Sequence, residues 1–198
     1  MLQVLKKLRG IDLSWSPNLT RIPDVSTSPD LERINLAYCR SLREVPYSQI
    51  QKNLNNLIDV NLDGCDKLQS VPDIILNATS LRTLLLGGCS NLNTLPLLIT
   101  TRSLVSLNLS STAIKDLTLS NDSLPNLSKL DLTDCKGLVS LSGVNNLKSL
   151  KILRLRGCSN LEKFPELPSN IEELNIGGTA IKEVDFPSIM DTWTIMLQ

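Results

Sequence analysis

"LRTLLLGGCSNLNTLP", residues 81–96, is one copy of a pattern that recurs along the whole chain. Eight copies start at positions that lie 21 to 26 residues apart: 8, 31, 57, 81, 104, 127, 150 and 171. Five copies carry a cysteine eight residues after their first leucine, whereas the shorter copies from 104 and 171 carry Thr112 and Thr179 at that place. Such a repeat predicts an array of stacked coils, because no single copy can bury its own leucines.

Within each copy, apolar and polar residues alternate as they do in a short β-strand. Leu84 and Leu86 lie two residues apart and share one face of such a strand. Thr83, Leu85 and Gly87 point the other way. We expect the strands of successive copies to pair in parallel about 4.8 Å apart, so that eight of them form a sheet roughly 35 to 40 Å long.

The pattern LxxLxLxxC is the signature of the leucine-rich repeat. It predicts an α/β fold: a leucine-rich-repeat solenoid, or horseshoe, with a parallel β-sheet on the concave face and irregular or short helical segments on the convex face. Helical segments are expected where apolar residues recur every three or four positions, as from Ile50 to Leu57 and from Val144 to Leu150. We expect the repeat domain to cover residues 1–184.

Residues 185–198 form a C-terminal tail that we expect to cap the last coil. Pro187 suits the first turn of a helix. The apolar residues around it recur at helical spacing: Phe186, Ile189, Met190, Trp193 and Leu197. The spacing therefore predicts an amphipathic helix over residues 186–197.

The composition disfavours several classes of function. Twenty basic and twenty acidic residues cancel, so no strong positive field favours nucleic acid or an anionic membrane. The chain has no histidine, which is the commonest general base near neutral pH and the commonest metal ligand. Asp59 and Asp63 lie about 13 Å apart on an extended strand, too far to share a Ca²⁺ ion. We therefore expect a protein without enzyme activity, cofactor or metal.

The cysteines occupy equivalent places in five coils: Cys39, Cys65, Cys89, Cys135 and Cys158. Equivalent places advance about 5 Å per coil, so three consecutive thiols span about 10 Å in a line and cannot share one Zn²⁺ ion. Parallel side-chain directions and a reducing cytosol argue against disulfides. We expect each cysteine to be a small, buried side chain at the corner after the strand, with its S–H directed at a backbone carbonyl.

The outward strand positions form the concave surface, which is the usual binding surface of a solenoid. The candidate protein-binding residues on it are Trp15, Arg33, Asn35, Tyr38, Asp59, Asn61, Asp63, Lys129, Asp131, Arg154, Arg156 and Glu173. Arg154 and Arg156 form either a basic patch with Lys129 for an acidic partner, or ordinary cross-strand pairs that Asp131 and Glu173 neutralise. Trp15 and Tyr38 follow adjacent strands and form either a binding hot spot or, for Trp15, a surface that an upstream coil or domain covers.

The chain alternates a C-x-x-L-x-x-L-P coil, as in LDGCDKLQSVPD from Leu62, with a shorter T-A-I-K-x-L coil, as in LNLSSTAIKDL from Leu107. This alternation resembles the leucine-rich-repeat region of plant TIR-type nucleotide-binding disease resistance proteins, over about residues 2–184. The resemblance implies an intracellular immune receptor whose repeats recognise a pathogen effector or a modified host protein. The chain has no GxxxxGK[ST] loop. We expect a fragment or truncated form, with the missing nucleotide-binding domain as its partner in cis.

The start of the chain lacks the apolar region of a secretory signal, which predicts a cytoplasmic protein or one shared between cytoplasm and nucleus. Two other functions stay open. FPELPSNIEEL, from Phe164, faintly resembles the substrate-recognition arm of a leucine-rich-repeat ubiquitin ligase, which would need a further catalytic domain. Five Asn-x-Ser/Thr sequons favour an extracellular receptor ectodomain, for which a signal and paired cysteines are missing.

Overall fold

A parallel sheet of nine three-residue strands runs through the computed structural model, which describes residues 7–22, 28–45, 54–71, 73–76, 78–95, 101–120, 124–184 and 194–196. Eight of the nine strands begin two residues after a repeat start. In chain order the strands are β1 (Gly10–Asp12), β2 (Arg33–Asn35), β3 (Asp59–Asn61), β4 (Thr83–Leu85), β5 (Ser106–Asn108), β6 (Asp116–Thr118), β7 (Lys129–Asp131), β8 (Ser140–Ser142), β9 (Ile152–Arg154), β10 (Glu173–Asn175) and β11 (Thr194–Met196). The sheet order is β1-β2-β3-β4-β5-β7-β9-β10-β11, and β6 and β8 form a separate two-stranded sheet.

The large sheet is built without any shift in register. The middle residue of each strand lies opposite the middle residue of the next, as Val60 does opposite Leu84 and Leu84 opposite Leu107. Val60, Leu84 and Leu107 point inward and are at most 1 % exposed. Leu86, two residues further along than Leu84, is also fully buried. The predicted alternation of inward leucines with outward polar residues is confirmed, and the core is a continuous aliphatic column.

The leucine-rich-repeat solenoid is confirmed, but its return side contains less helix than expected. The described residues include one short α-helix, α1 (Asp73–Leu76), and one 3-10 turn, Val144–Asn146. The helix expected from Ile50 to Leu57 is absent over residues 54–57, and its first part lies outside the described residues. Several returns contain a proline, which lacks the N–H that a continuing helix requires.

The predicted C-terminal helix is wrong for residues 194–196. These residues form β11, which pairs in parallel with β10 and places Thr194 opposite Glu173. Without β11, the outer edge of β10 would present unpaired backbone groups, and the β-branched residues Thr194 and Ile195 suit a strand. The rest of the predicted helix lies outside the described residues, and the domain boundary after residue 184 stays a prediction.

Five buried thiols link successive coils. Each S–H donates to the carbonyl oxygen of a leucine in the preceding coil at 3.0 to 3.2 Å, as Cys39 to Leu13, Cys65 to Leu36, Cys89 to Leu62, Cys135 to Leu109 and Cys158 to Leu132. All five cysteines are free and fully buried. In the shorter coils, Thr112 and Thr179 donate instead to a carbonyl of their own coil. The predicted role of the cysteines as buried donors at the strand-end corner is confirmed.

A second ladder, which we did not predict, lies at the opposite corner of the coil. The residue before a repeat start donates from its side chain to a backbone carbonyl one coil earlier, as Asn56 to Pro29, Ser103 to Thr79, Asn126 to Arg102 and Ser149 to Pro125. The sequence carried a signal for it, because Asn, Ser or Asp precedes seven of the eight repeat starts. At β3, β7 and β9 the two ladders hold both ends of the strand.

Burial of the thiols predicts that alkaline pH destabilises the fold. Burial raises the pKa of Cys89 from 9.0 to about 12. The unfolded chain therefore loses this proton first, so the thiol's contribution is complete below pH 9.0 and is lost as the pH rises towards about 12. We expect the free energy of unfolding, measured by urea titration across this range, to fall more steeply for the wild type than for Cys89→Thr. Equal slopes would contradict this account of the ladder.

Candidate protein-binding surface

The outward side of the nine-stranded sheet, called the sheet face below, presents the first and third residues of each strand. The twelve predicted site residues all lie on this face or at the corner that follows it. They occupy four equivalent rows: first strand residues Arg33, Asp59, Lys129 and Glu173; third strand residues Asn35, Asn61, Asp131 and Arg154; corner residues Asp63 and Arg156; and, one residue later, Trp15 and Tyr38.

Most of the side chains at the third strand position accept a hydrogen bond from the backbone of their own coil. Asn35, Asn61 and Asp131 each accept, through Oδ1, a hydrogen bond from the N–H two residues later, at 3.0 to 3.2 Å. Asp12, Asn108 and Asn175 make the same bond in other coils. This is an Asx turn, which satisfies an N–H at the point where the strand ends. These three predicted binding residues therefore have a structural role.

Asp63 compensates for a coil that lacks this turn. The third residue of β4 is Leu85, which has no acceptor for the N–H of Gly87. That N–H donates instead to Oδ1 of Asp63 at 2.6 Å, and Nδ2 of Asn108 approaches the same oxygen at 3.4 Å. Burial raises the pKa of Asp63, although the Gly87 hydrogen bond acts in the opposite direction. Asp63 thus serves the neighbouring coil as well as its own.

Arg154 is bound to two acidic neighbours. Its Nε lies 2.8 Å from Oε1 of Glu173, and its Nη1 lies 3.6 Å from Oδ2 of Asp131. The hydrogen bond to Glu173 is the main cause of the raised pKa of Arg154. For Arg154, this geometry agrees with the alternative in which Asp131 and Glu173 neutralise the arginine through cross-strand pairs. Arg156 stays exposed, and neither it nor Lys129 makes an ion pair within the part of the chain that the structure describes.

Trp15 and Tyr38 form an exposed aromatic stack at one end of the sheet face. Their ring centroids lie 4.1 Å apart with an angle of 22° between the ring planes. Trp15 is 69 % exposed and Tyr38 is 37 % exposed. The ring of Tyr38 lies across Gly64 in the next coil, where an added Cβ would stand 2.5 Å from Cδ1 of Tyr38. The stack therefore depends on a glycine in the third coil.

The backbone of both aromatic residues is left-handed, with φ of 58° at Trp15 and 61° at Tyr38. The same place is left-handed in every other coil: Gly64, Gly88, Ser111, Asp134, Gly157 and Gly178. In this conformation the N–H donates a hydrogen bond to a backbone carbonyl of the next coil, beyond the end of the strand. Trp15 donates to Ala37 at 2.7 Å, and Tyr38 donates to Asp63 at 2.6 Å. Glycine at four of the eight places indicated the turn, but we did not predict it. Bulky residues in such strained positions are typical of functional sites.

Over the residues that the structure describes, no group of three His, Cys, Asp or Glu side chains could hold a metal ion. Nor does any helix found there have the length and apolar character needed to cross a membrane. The Trp15–Tyr38 stack presents an exposed aromatic surface on the sheet face.

The chain belongs to the leucine-rich-repeat family. Residues 75–196, more than half of the chain, match the family model described as At1g61320/AtMIF1, LRR domain.

Plant disease resistance proteins are among its relatives. The chain is 40 % identical over 166 residues to the Protein SUPPRESSOR OF npr1-1, CONSTITUTIVE 1 of Arabidopsis thaliana, an alignment that covers 84 % of the chain and 11 % of that protein. It is 35 % identical to the Probable disease resistance protein At4g19520 of Arabidopsis thaliana, over 95 % of the chain and 10 % of that protein. It is also 35 % identical to the TMV resistance protein N of Nicotiana glutinosa, over 87 % of the chain and 15 % of that protein. The predicted resemblance is confirmed, and the chain spans 10 to 15 % of the length of these relatives.

Two solved structures show the same fold. The leucine-rich repeat domain of the type III effector XCV3220 (XopL) has a TM-score of 0.64 at 23 % identity, over 81 % of this chain and 63 % of that one. A functional domain of InlJ from Listeria monocytogenes, which includes a cysteine ladder, has a TM-score of 0.61 at 16 % identity, over 89 % of this chain and 38 % of that one.

The contacts of Asp63 predict unequal effects for two aspartates of one coil. We expect Asp63→Ala to lower the free energy of unfolding by about 1 to 3 kcal/mol, because the buried N–H of Gly87 loses its acceptor. Asp59→Ala is the matched control, since the side chain of Asp59 makes no hydrogen bond or ion pair with the described residues. Its effect should stay within about 0.5 kcal/mol. Urea denaturation measures both variants, and equal losses would show that Asp63 has no special role.

Proposed function

We propose that this chain is the non-catalytic protein-recognition module of a plant intracellular immune receptor. The observation that carries the proposal is the exposed stack of Trp15 on Tyr38 at the sheet face. Aromatic residues are enriched among the residues that dominate binding energy at protein interfaces, and a contiguous exposed apolar patch is typical of an interaction site. The disease resistance proteins among its relatives supply the biological setting.

The stack is suited to binding because it is already held in place. Tyr38 supports one side of the Trp15 ring, and hydrogen bonds to the next coil hold the left-handed backbone of both residues. A partner therefore gains contact area without much loss of side-chain freedom.

The partner in this proposal is a protein, either a pathogen effector or a host protein that an effector has modified. Four predicted site residues on the sheet face or at its corner stay available for polar contacts, since their side chains neither close a turn nor pair with Arg154: Arg33, Asp59, Lys129 and Arg156. They carry both signs of charge, which suits a polar interface rim better than a nucleic-acid surface.

The module in this proposal works as part of a longer receptor. The curated relatives are several times longer than this chain, and their remaining length would include the nucleotide-binding domain that contacts the repeats in cis. We place the receptor in the cytoplasm, or in both cytoplasm and nucleus. The five free thiols support a reducing compartment of this kind.

The left-handed backbone allows a test that separates binding from stability. Trp15→Gly removes the ring and puts glycine, the residue that adopts the left-handed conformation most readily, in its place. We expect the free energy of unfolding to change by less than about 1 kcal/mol, because lost stacking and relieved strain are of similar size. Partners are identified by proximity labelling in infected and uninfected leaves, and their affinity is measured by calorimetry. The affinity of these partners for Trp15→Gly should be lower than their affinity for the wild type by about tenfold or more.

Ser111→Gly is the matched control, because it relieves the same backbone strain four coils away and removes no ring. Its labelled partners and their affinity should equal those of the wild type. Tyr38→Gly should behave as Trp15→Gly does. If partners bind equally well to all three variants, the aromatic stack is not the recognition site.

A further inference from the structure

A groove of about 510 Å³ lies on the return side of the solenoid, apart from the sheet face. One wall is the stretch 139–143, which contains β8. The other wall is the stretch 162–166 of the following coil. The groove therefore runs along the edge of the small β6–β8 sheet.

Among the described residues, β8 pairs only with β6, and the opposite edge of β8 lines this groove. The ladder between β6 and β8 uses the backbone of Ser140, whose N–H donates to Lys115 at 3.3 Å, and of Ser142, whose carbonyl accepts from Leu119 at 3.0 Å. Successive residues of a strand direct their N–H and C=O groups to opposite sides. The N–H and C=O of Leu141 therefore point away from β6 and towards the groove.

The following coil does not continue the small sheet. The stretch 162–166 is not a strand, and it contains Pro165, which has no N–H to donate. The groove thus lies where a third strand would pair with β8. An edge of this kind can accept an extended peptide from another molecule.

The charges of the groove indicate which peptide would fit. Glu162 and Glu166 are exposed along one wall and outnumber the single Lys163. Nδ2 of Asn145 donates to Oε2 of Glu166 at 2.6 Å and holds that carboxylate in place. At the other wall, Val139 is 56 % exposed and offers an apolar contact.

We propose that the groove binds an extended, basic segment of a partner protein, which pairs with β8 as a third strand and places a Lys or Arg against Glu162 and Glu166. The backbone of Leu141 supplies the pairing, and the two carboxylates select for basic side chains. The site is separate from the sheet face, so it adds a second contact to the function proposed above and does not depend on it.

The test uses the full chain and a linear nonapeptide selected against it from a phage-displayed random library. We expect selected peptides to carry a Lys or Arg among alternating β-branched residues. Binding of the free peptide should slow hydrogen exchange at the Leu141 amide by about tenfold or more, because that N–H gains a strand partner. The double variant Glu162→Lys/Glu166→Lys should bind the peptide with an affinity lower by about tenfold or more.

Glu44→Lys is the matched control, because Glu44 is an exposed carboxylate on an early coil, far along the solenoid from the groove. It should leave the peptide affinity unchanged. If the double variant does not fold, hydrogen exchange of Leu141 in the wild type decides the question. The proposal is overturned if no selected peptide protects Leu141, if peptides bind the double variant as well as the wild type, or if the groove instead pairs two copies of the chain into a dimer that the double variant abolishes.

Discussion

Successive coils of this solenoid stack in register, and the pairing of each strand with the next determines which residues each position can hold. Because each strand residue lies opposite its equivalent in the next coil, a given place must suit the same surroundings throughout the chain. Inward places are filled by leucine or a similar aliphatic residue. Many corner places carry a donor that reaches a carbonyl of the preceding coil, either a thiol after the strand or an Asn or Ser before the repeat start. Polar groups at the corners are thereby satisfied by the neighbouring coil.

The same constraint separates structural polar residues from those available for binding. Asn35, Asn61 and Asp131 close the turn after their strands, and Asp63 supplies an acceptor to the next coil. A polar side chain on the sheet face is thus no sign of a binding site by itself. The Trp15–Tyr38 stack differs, because its rings satisfy no neighbouring group and stay exposed in a place where half of the coils have glycine.

The return side varies more than the strand side. Its connections need not pair with the next coil, so this chain forms a helix, a 3-10 turn, a two-stranded sheet and irregular segments in different coils. Where β8 has no following strand, its edge and the next coil enclose a groove. A fold with one strictly repeated side and one variable side can therefore carry two kinds of binding surface, an aromatic one on the sheet face and a strand edge behind it.

The repeat, the strand positions, the inward leucines and the role of the cysteines could all be predicted from the amino-acid sequence, because they follow from local spacing and from one environment repeated eight times. Which outward residues are engaged depends on contacts between coils, and these are visible only in the folded chain. Asp59 and Asp63 look alike in the sequence. Only Asp63 lies beside the N–H of Gly87, which has no acceptor in its own coil because Leu85 ends β4 there. The strand β11 was missed for a related reason. Helical spacing is a local property, whereas the exposed edge of β10 that recruits residues 194–196 exists only after the coils have stacked.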